Sequence, residues 1–142
     1  MEATLLPVIW VQHDGAGTPI FDLGAESGDF IGTVRPFEGE KIIVKKHPSV
    51  FTGTDFHETL QSLGIRQLVI TGYMAHICVT GTARSASEHG YDTIVIKDGI
   101  GDRDIPSHDG KSVVSAATLV DFVCNELGDG IGTIIQSKDI GA

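Results

Sequence analysis

The sequence has few cysteines, a shortage of basic residues and no long apolar run. Its two cysteines, Cys78 and Cys124, lie far apart and fit no metal-binding spacing, which argues against a disulfide framework and a zinc ribbon. Ten basic side chains stand against nineteen acidic ones, a formal net charge of −9, so the positive surface that binds nucleic acid or an anionic membrane is missing. The longest apolar run, residues 5–11, is far shorter than the roughly 18 residues of a membrane span. These absences predict a cytoplasmic protein that binds a small molecule.

The composition is typical of one globular domain. The chain has 142 residues, of which 41% are hydrophobic and 20% are charged. This length fits a single domain over residues 1–142, without a separate cofactor module, and we expect no cofactor. Eighteen glycines lie singly between apolar runs and indicate many sharp turns.

Short apolar runs and helical periods alternate along the chain. Five runs rich in β-branched residues predict strands buried on both faces, at residues 8–11, 42–44, 68–70, 93–96 and 133–135. Three helical stripes lie between the later runs: Phe56, Leu60 and Leu63; Val79, Ala83 and Ala86; and Val113, Ala117, Val120, Cys124 and Leu127. Gly64, Gly90 and Gly128 follow them as stop signals, and Asp55 with Glu58 has the spacing of a capping box. The alternation predicts an α/β fold, with a mostly parallel sheet covered by helices.

One long segment has no such period. Residues 13–40 contain six glycines and two prolines and are predicted to form a loop. Long loops in compact domains are usually functional. We therefore expect this loop to determine the substrate.

Cys78 is the one obvious nucleophile near the end of a predicted strand. Ligands of open α/β sheets bind where strands end, and Cys78 follows the strand at 68–70 and opens the next helix. A helix N-terminus stabilises a thiolate and offers N–H groups to an oxyanion. The alternative is a small buried hydrophobic residue, which describes Cys124 on its apolar stripe.

Lys45 ends the second predicted strand and is a candidate partner for this thiol. It could stabilise a thiolate, whereas Lys46 should point to the opposite side of an extended chain. The alternative is a solvated strand end. Phe51, in the segment 47–54, either walls a pocket or belongs to a plain turn before the next helix.

Taken together, these motifs resemble a known family. The matching segments are KKHPSVFTGTD at 45–55, TGYMAHICV at 71–79, TARSA at 82–86 and GY at 90–91. They resemble the isochorismatase-like cysteine hydrolases, which include nicotinamidases, carbamoyl-amide hydrolases and isochorismatase. The resemblance covers about three quarters of the chain and implies a three-layer α-β-α fold.

The resemblance also implies roles for individual residues. Cys78 matches the nucleophile and Lys45 matches the lysine of an Asp-Lys-Cys triad. A cis peptide bond is implied between Tyr73 and Met74, with the N–H groups of Met74 and Cys78 as an oxyanion hole. The implied activity is hydrolysis of a C–N bond in a small amide, with vinyl-ether hydrolysis as an alternative.

The sequence departs from the family pattern at its N-terminal end. The family's first strand and helix, which carry the triad aspartate, have no counterpart here, and Asp14 is the nearest candidate to replace that base. We predict no metal site, because residues 13–40 hold one histidine, His13, among scattered carboxylates. His76, two residues before Cys78, is expected to support the pocket or lie at the surface.

The missing aspartate leaves other functions open. The chain could be a catalytically impaired relative that serves as a binding or assembly module, or its thiol could sense oxidants. A sheet that lacks one strand exposes backbone and apolar surface. We therefore expect a homo-oligomer, a dimer or higher.

Overall fold

Parallel strand pairs form the frame of the molecule, as the computed structural model of residues 6–141 shows. The strands are β1 (Ile9–His13), β2 (Lys41–Lys45), β3 (Gln67–Tyr73), β4 (Asp92–Gly101), β5 (Ile105–Pro106), β6 (Val113–Val114) and β7 (Thr133–Ile135). The α-helices are α1 (Phe56–Ser62), α2 (Thr80–Glu88) and α3 (Ala116–Gly130). The predicted α/β fold is thus confirmed, and each of the five predicted strands is present.

The parallel strands form two separate ladders. β1 pairs with β2, and β3, β4 and β7 pair in that order, while β5 and β6 form an antiparallel pair. Within residues 6–141 no strand joins β1 to β3. A cavity of about 570 Å³ lies between the two ladders, lined by residues 6–9, 11 and 67–73 among others. This split agrees with the expectation that the sheet lacks one strand.

Two clusters of buried residues hold the helices against the strands. The first joins β3 and β4 to α2 and α3, through Ile70, Val95, Ala83 and Leu127 among others. The second joins β2 to α1 through Ile43, Phe56 and Leu60, and it includes Ala86 of α2. Helix α2 therefore contributes to both clusters and connects the two halves of the molecule.

The prediction that the strands are buried on both faces is wrong for β2 and β3. Ile42 and Val44 are 45% and 46% exposed and Val69 is 48% exposed, whereas their neighbours Ile43 and Ile70 are buried. Successive side chains of a strand point to opposite faces. One face of these strands therefore packs on the core, while the other is open to solvent at these positions.

The predicted third helix begins too early. Val113 and Val114 form β6, and α3 starts at Ala116, after Ser115, whose hydroxyl accepts a hydrogen bond from the Thr118 N–H. Gly128 lies inside this helix and does not end it. The helix begins at Ala116 because Ser115 caps it and because Val113 and Val114 pair with β5, although the apolar spacing of the sequence extends back to Val113.

Helix α1 also differs from its prediction. Asp55 precedes the helix, but its side chain makes no capping hydrogen bond, because its carboxylate accepts one from Lys41 Nζ at 2.7 Å. Leu63, which was predicted to share the buried face of this helix, is 54% exposed. Gly64 stops the helix as predicted, with a left-handed φ of 68° that favours glycine.

The long loop is present. Between β1 and β2, the described residues contain no regular element except a helical turn at Glu26–Gly28. In residues 6–141, moreover, no helix combines the length and apolar character that crossing a membrane would require.

Leu127 provides a test of the core. Its side chain is fully buried in the first cluster, so we expect Leu127→Ala to lower the free energy of unfolding by about 2–5 kcal/mol. Phe122→Ala is the matched control on the same helix, because Phe122 is 64% exposed. Urea unfolding measures both, and equal losses in the two variants would contradict the assignment of this core.

Candidate active site

The carboxyl ends of β1, β2 and β3 bring a lysine, a thiol and an imidazole together. Lys45 Nζ lies 3.2 Å from Cys78 Sγ and 3.0 Å from His13 Nδ1, and it donates to the His47 carbonyl at 2.9 Å. An ammonium group has three N–H donors, and these three acceptors match them. Lys45 is therefore anchored inside the protein, with a residue exposure of 4%.

Strand geometry explains why Lys45 points inward. On β2, Ile43 and Lys45 are buried while Val44 is exposed, and Lys46, the next residue after the strand, is exposed as well. In the register of β1 with β2, His13 is opposite Lys45, so the two side chains project from neighbouring backbones to the same face. Lys46 projects to the other side, as the sequence predicts, and lies 3.7 Å from the Asp14 carboxylate.

Cys78 lies in a short π-helical turn, Ala75–Val79, between β3 and α2. The peptide bond between Tyr73 and Met74 is cis, the geometry that the resemblance implies. One expectation about this turn needs correction. The Cys78 N–H donates to the Met74 carbonyl at 3.0 Å, so it is not free for an oxyanion in this structure, and the Met74 N–H stays the candidate donor.

Asp14 does not replace the missing base. Its carboxylate accepts a hydrogen bond from the Ala16 N–H at 3.1 Å and faces Lys46. Because Asp14 follows His13 at the end of β1, the two side chains point in different directions. The side chain beside Lys45 at the end of β1 is His13.

Phe51 does not wall this site. Its ring packs against Phe56 at a centroid distance of 4.9 Å and stacks on His89 at 4.7 Å, and it borders the second core cluster. Phe21 is the aromatic residue that packs against His13, with a ring-centroid distance of 5.7 Å, and it lies 6.3 Å from the ring of Tyr73. Phe21 belongs to the long loop, which thus reaches the site.

His76 supports the turn that carries Cys78. Its ring Nδ1 lies 2.7 Å from Asp102 Oδ2, and its backbone N–H donates to the same carboxylate at 2.8 Å. Asp102 follows β4 and its side chain is fully enclosed. Burial alone would raise the pKa of Asp102, but the hydrogen bonds from His76 and from the Arg103 N–H outweigh it and lower the pKa. Asp102 comes directly after β4, yet no spacing in the sequence indicated its link to His76.

Asp102 predicts an acid-dependent contribution to stability. A carboxyl group whose pKa is lowered by folding stabilises the protein above its unfolded value of about 3.9, and this contribution is lost as the pH falls through the folded value. We expect Asp102→Asn to lower the free energy of unfolding at pH 7 by about 1–3 kcal/mol. The variant should also lose less further stability than the wild type between pH 5 and 3.

Urea unfolding at several pH values measures this effect. Asp129→Asn, at an exposed position of α3, is the matched control and should behave like the wild type. A pH dependence that is unchanged in Asp102→Asn would contradict the role of this carboxylate.

The cavity between the ladders opens onto the site. Lys45, Cys78 and Thr82 are among its lining residues, and most of the others are apolar. In the described part of the chain, no group of three or more His, Cys, Asp or Glu side chains could hold a metal ion. The cavity is therefore lined by the thiol of Cys78 and the ammonium group of Lys45, and His13 lies behind them against Lys45.

Comparison with known proteins identifies relatives of the chain. The isochorismatase domain family matches residues 2–120. The secreted isochorismatase effector Isc1 of Verticillium dahliae is 41% identical over 135 residues, which are 94% of this chain and 68% of that protein. Maleamate amidohydrolase of Pseudomonas putida is 31% identical over 80 residues, 56% of this chain and 38% of the enzyme.

The fold agrees with these matches. An isochorismatase from Pseudomonas putida superposes with a TM-score of 0.86 at 34% identity, over 93% of this chain and 67% of that structure. This chain therefore spans about two thirds of the length of that structure and of Isc1. The family match over most of the sequence and the shared fold together show that this chain belongs to the isochorismatase family of hydrolases.

Proposed function

We propose that this protein hydrolyses the C–N bond of a small amide, with Cys78 as the nucleophile. The observation that carries the proposal is the 3.2 Å contact between Lys45 Nζ and Cys78 Sγ, two of the residues that line the cavity. A buried ammonium group beside a thiol stabilises the thiolate, which is the reactive form. The relationship to an amidohydrolase supports an amide substrate.

The site residues can be assigned to the steps of this reaction. The Cys78 thiolate attacks the amide carbonyl, and the Met74 N–H stabilises the oxyanion. Lys45 then gives a proton to the leaving nitrogen as the C–N bond breaks, which leaves a thioester on Cys78 and a neutral amine on Lys45. Water attacks the thioester, its proton returns to Lys45, and the C–S bond breaks to release the acid and the thiolate.

A panel of substrates tests this proposal. Wild-type protein is incubated with small primary amides, ureido compounds and a vinyl ether, and ammonia or product release is measured beside intact-protein mass spectrometry. We expect release from at least one amide or ureido compound, together with an acyl adduct on the peptide that contains Cys78. Release from the vinyl ether alone would contradict C–N hydrolysis and favour ether cleavage.

A second function is supported by a specific observation. Among the described residues, no carboxylate forms a hydrogen bond or ion pair with Lys45 or Cys78. A site in which no carboxylate acts as the base beside the cysteine fits a binding or assembly module that binds a small molecule without hydrolysing it. This second function predicts saturable binding of small amides to the cavity, measured by calorimetry, without release of product.

We further propose that the protein forms a homo-oligomer. The open face of β2 and β3, which carries Ile42, Val44 and Val69, is an apolar surface that a second copy would cover. Sedimentation at micromolar concentration should show a dimer or a larger species, and Val69→Lys should weaken it. A monomer under these conditions would contradict the proposal.

A further inference from the structure

His13 is held against Lys45 by a contact that depends on its protonation state. An ammonium nitrogen donates hydrogen bonds and accepts none, so His13 Nδ1, at 3.0 Å, must offer its lone pair. The imidazole in this contact is therefore neutral, with its proton on Nε2. An imidazolium could not accept this bond and would place a second positive charge beside Lys45.

The surroundings of His13 favour the neutral ring. Burial, then the charge of Lys45 on β2, and to a smaller extent His47, lower the pKa of His13 below its ordinary value, while Asp14 acts in the opposite direction. On its other side, the ring packs edge-on against Phe21 of the long loop. Cys78 is the remaining titratable partner of Lys45 and lies 3.2 Å from its Nζ.

The three acceptors of Lys45 fix where its protons point. His13 and the His47 carbonyl take two of them, which leaves the third for Cys78 Sγ. If His13 no longer accepts, the ammonium group is free to turn and its approach to the thiol is no longer fixed. Neither β1 nor the loop after it supplies another acceptor to Lys45 in the described residues.

We propose that neutral His13 is a positioning residue that aims Lys45 at Cys78, and that protonation of His13 releases Lys45 and lowers the reactivity of the thiol. The effect on turnover rests on the proposed function, whereas the effect on thiol reactivity does not. His13 acts through Lys45 and takes no covalent part in the reaction. The reactivity of Cys78 therefore falls as His13 takes up a proton.

Alkylation of Cys78 by iodoacetamide tests this role without a substrate. Rates are followed by peptide mass spectrometry from pH 5 to 8 in the wild type, His13→Asn, His13→Leu and His108→Asn. An asparagine at position 13 can still accept from Lys45 through Oδ1 but does not titrate in this range. His108 is exposed and serves as the matched control.

The expected rates differ among the variants. At pH 7, His13→Asn should react within about threefold of the wild type, and His13→Leu at least about tenfold more slowly. Between pH 7 and 5 the wild type and His108→Asn should lose reactivity more steeply than His13→Asn. If His13→Leu does not fold, the proposal is tested by comparing the pH dependence of Cys78 alkylation in His13→Asn with that in the wild type.

Two results would overturn the proposal. One is an acid loss of reactivity in His13→Asn as steep as in the wild type, and the other is wild-type alkylation of a folded His13→Leu. The experiment also separates this proposal from the proposed function. A protein that turns over no amide but shows the expected alkylation profile would contradict the function and support the role of His13.

Discussion

Cys78→Ala is expected to abolish hydrolysis of any amide that the wild type turns over, with a fall in kcat of at least about 10³-fold. The variant removes the only atom that we propose to form a bond with the substrate, and a residual rate would have to come from binding and the oxyanion donor alone. Steady-state kinetics on a substrate found in the panel measures the effect.

Cys124→Ala is the matched control for this variant. Cys124 is buried on α3 within the first core cluster, and burial raises the pKa of its thiol, so it is neither accessible nor ionised near neutral pH. The control should keep its kcat and lose some stability. Full activity in Cys78→Ala, or equal losses in both variants, would contradict the assignment of the nucleophile.

Lys45→Met should lower kcat/KM by roughly 10²–10⁴-fold, the usual contribution of a positioned acid-base group. Methionine is unbranched and of similar length, so it fills the buried space without the charge. The Cys78 thiolate then loses its counterion, and the leaving nitrogen loses its proton donor. His13 and the His47 carbonyl lose their shared donor as well.

Lys46→Met is the matched control, because the Lys46 side chain is 76% exposed and points away from Cys78. We expect this variant to retain wild-type kinetics within about threefold. Circular dichroism and urea unfolding show whether Lys45→Met is folded. A folded Lys45→Met with wild-type kcat/KM would contradict the proposed role of Lys45.

The strands and the end of α1 could be predicted because they are marked by neighbouring residues in the sequence. Runs of β-branched residues mark the strands, and the left-handed turn at Gly64 ends α1 as expected. The start of α3 could not be read from the apolar spacing, since Val113 and Val114 pair with a strand that the sequence hardly indicates. The exposed face of β2 and β3 was also not predicted. A strand face is buried only if another element packs on it, and the sequence of the strand does not show whether one does.

The candidate site was predicted in part for similar reasons. Cys78 and Lys45 were found from motifs and strand ends, and the structure places their side chains in contact. The contact of His13 with Lys45 was not predicted, because it depends on the pairing of β1 with β2, which spacing does not reveal. Asp102 was missed as a partner of His76 because β4 brings together residues 26 positions apart. Of the two alternatives for Phe51, the structure agrees with the turn before α1, and its ring packs on His89, which lies after α2.

Several predictions stay open. The cytoplasmic location and the homo-oligomer stay predictions, the first from composition and the second from the exposed apolar face of β2 and β3. The identity of the amide also stays a prediction. We expect changes in the long loop at Phe21 to alter specificity, because its ring packs against His13 and Tyr73.

The central claim is that Lys45 holds Cys78 as a reactive thiolate, and competitive alkylation tests it most directly. Native protein is treated with limiting iodoacetamide at pH 7, and the labelling rates of the two cysteine peptides are compared by mass spectrometry. We expect Cys78 to react at least about tenfold faster than Cys124 in the native protein, and the labelling rate of Cys78 itself to fall at least about tenfold in Lys45→Met. Equal labelling of the two thiols in the native protein, or a Cys78 rate in Lys45→Met that equals the wild-type rate, would contradict the claim.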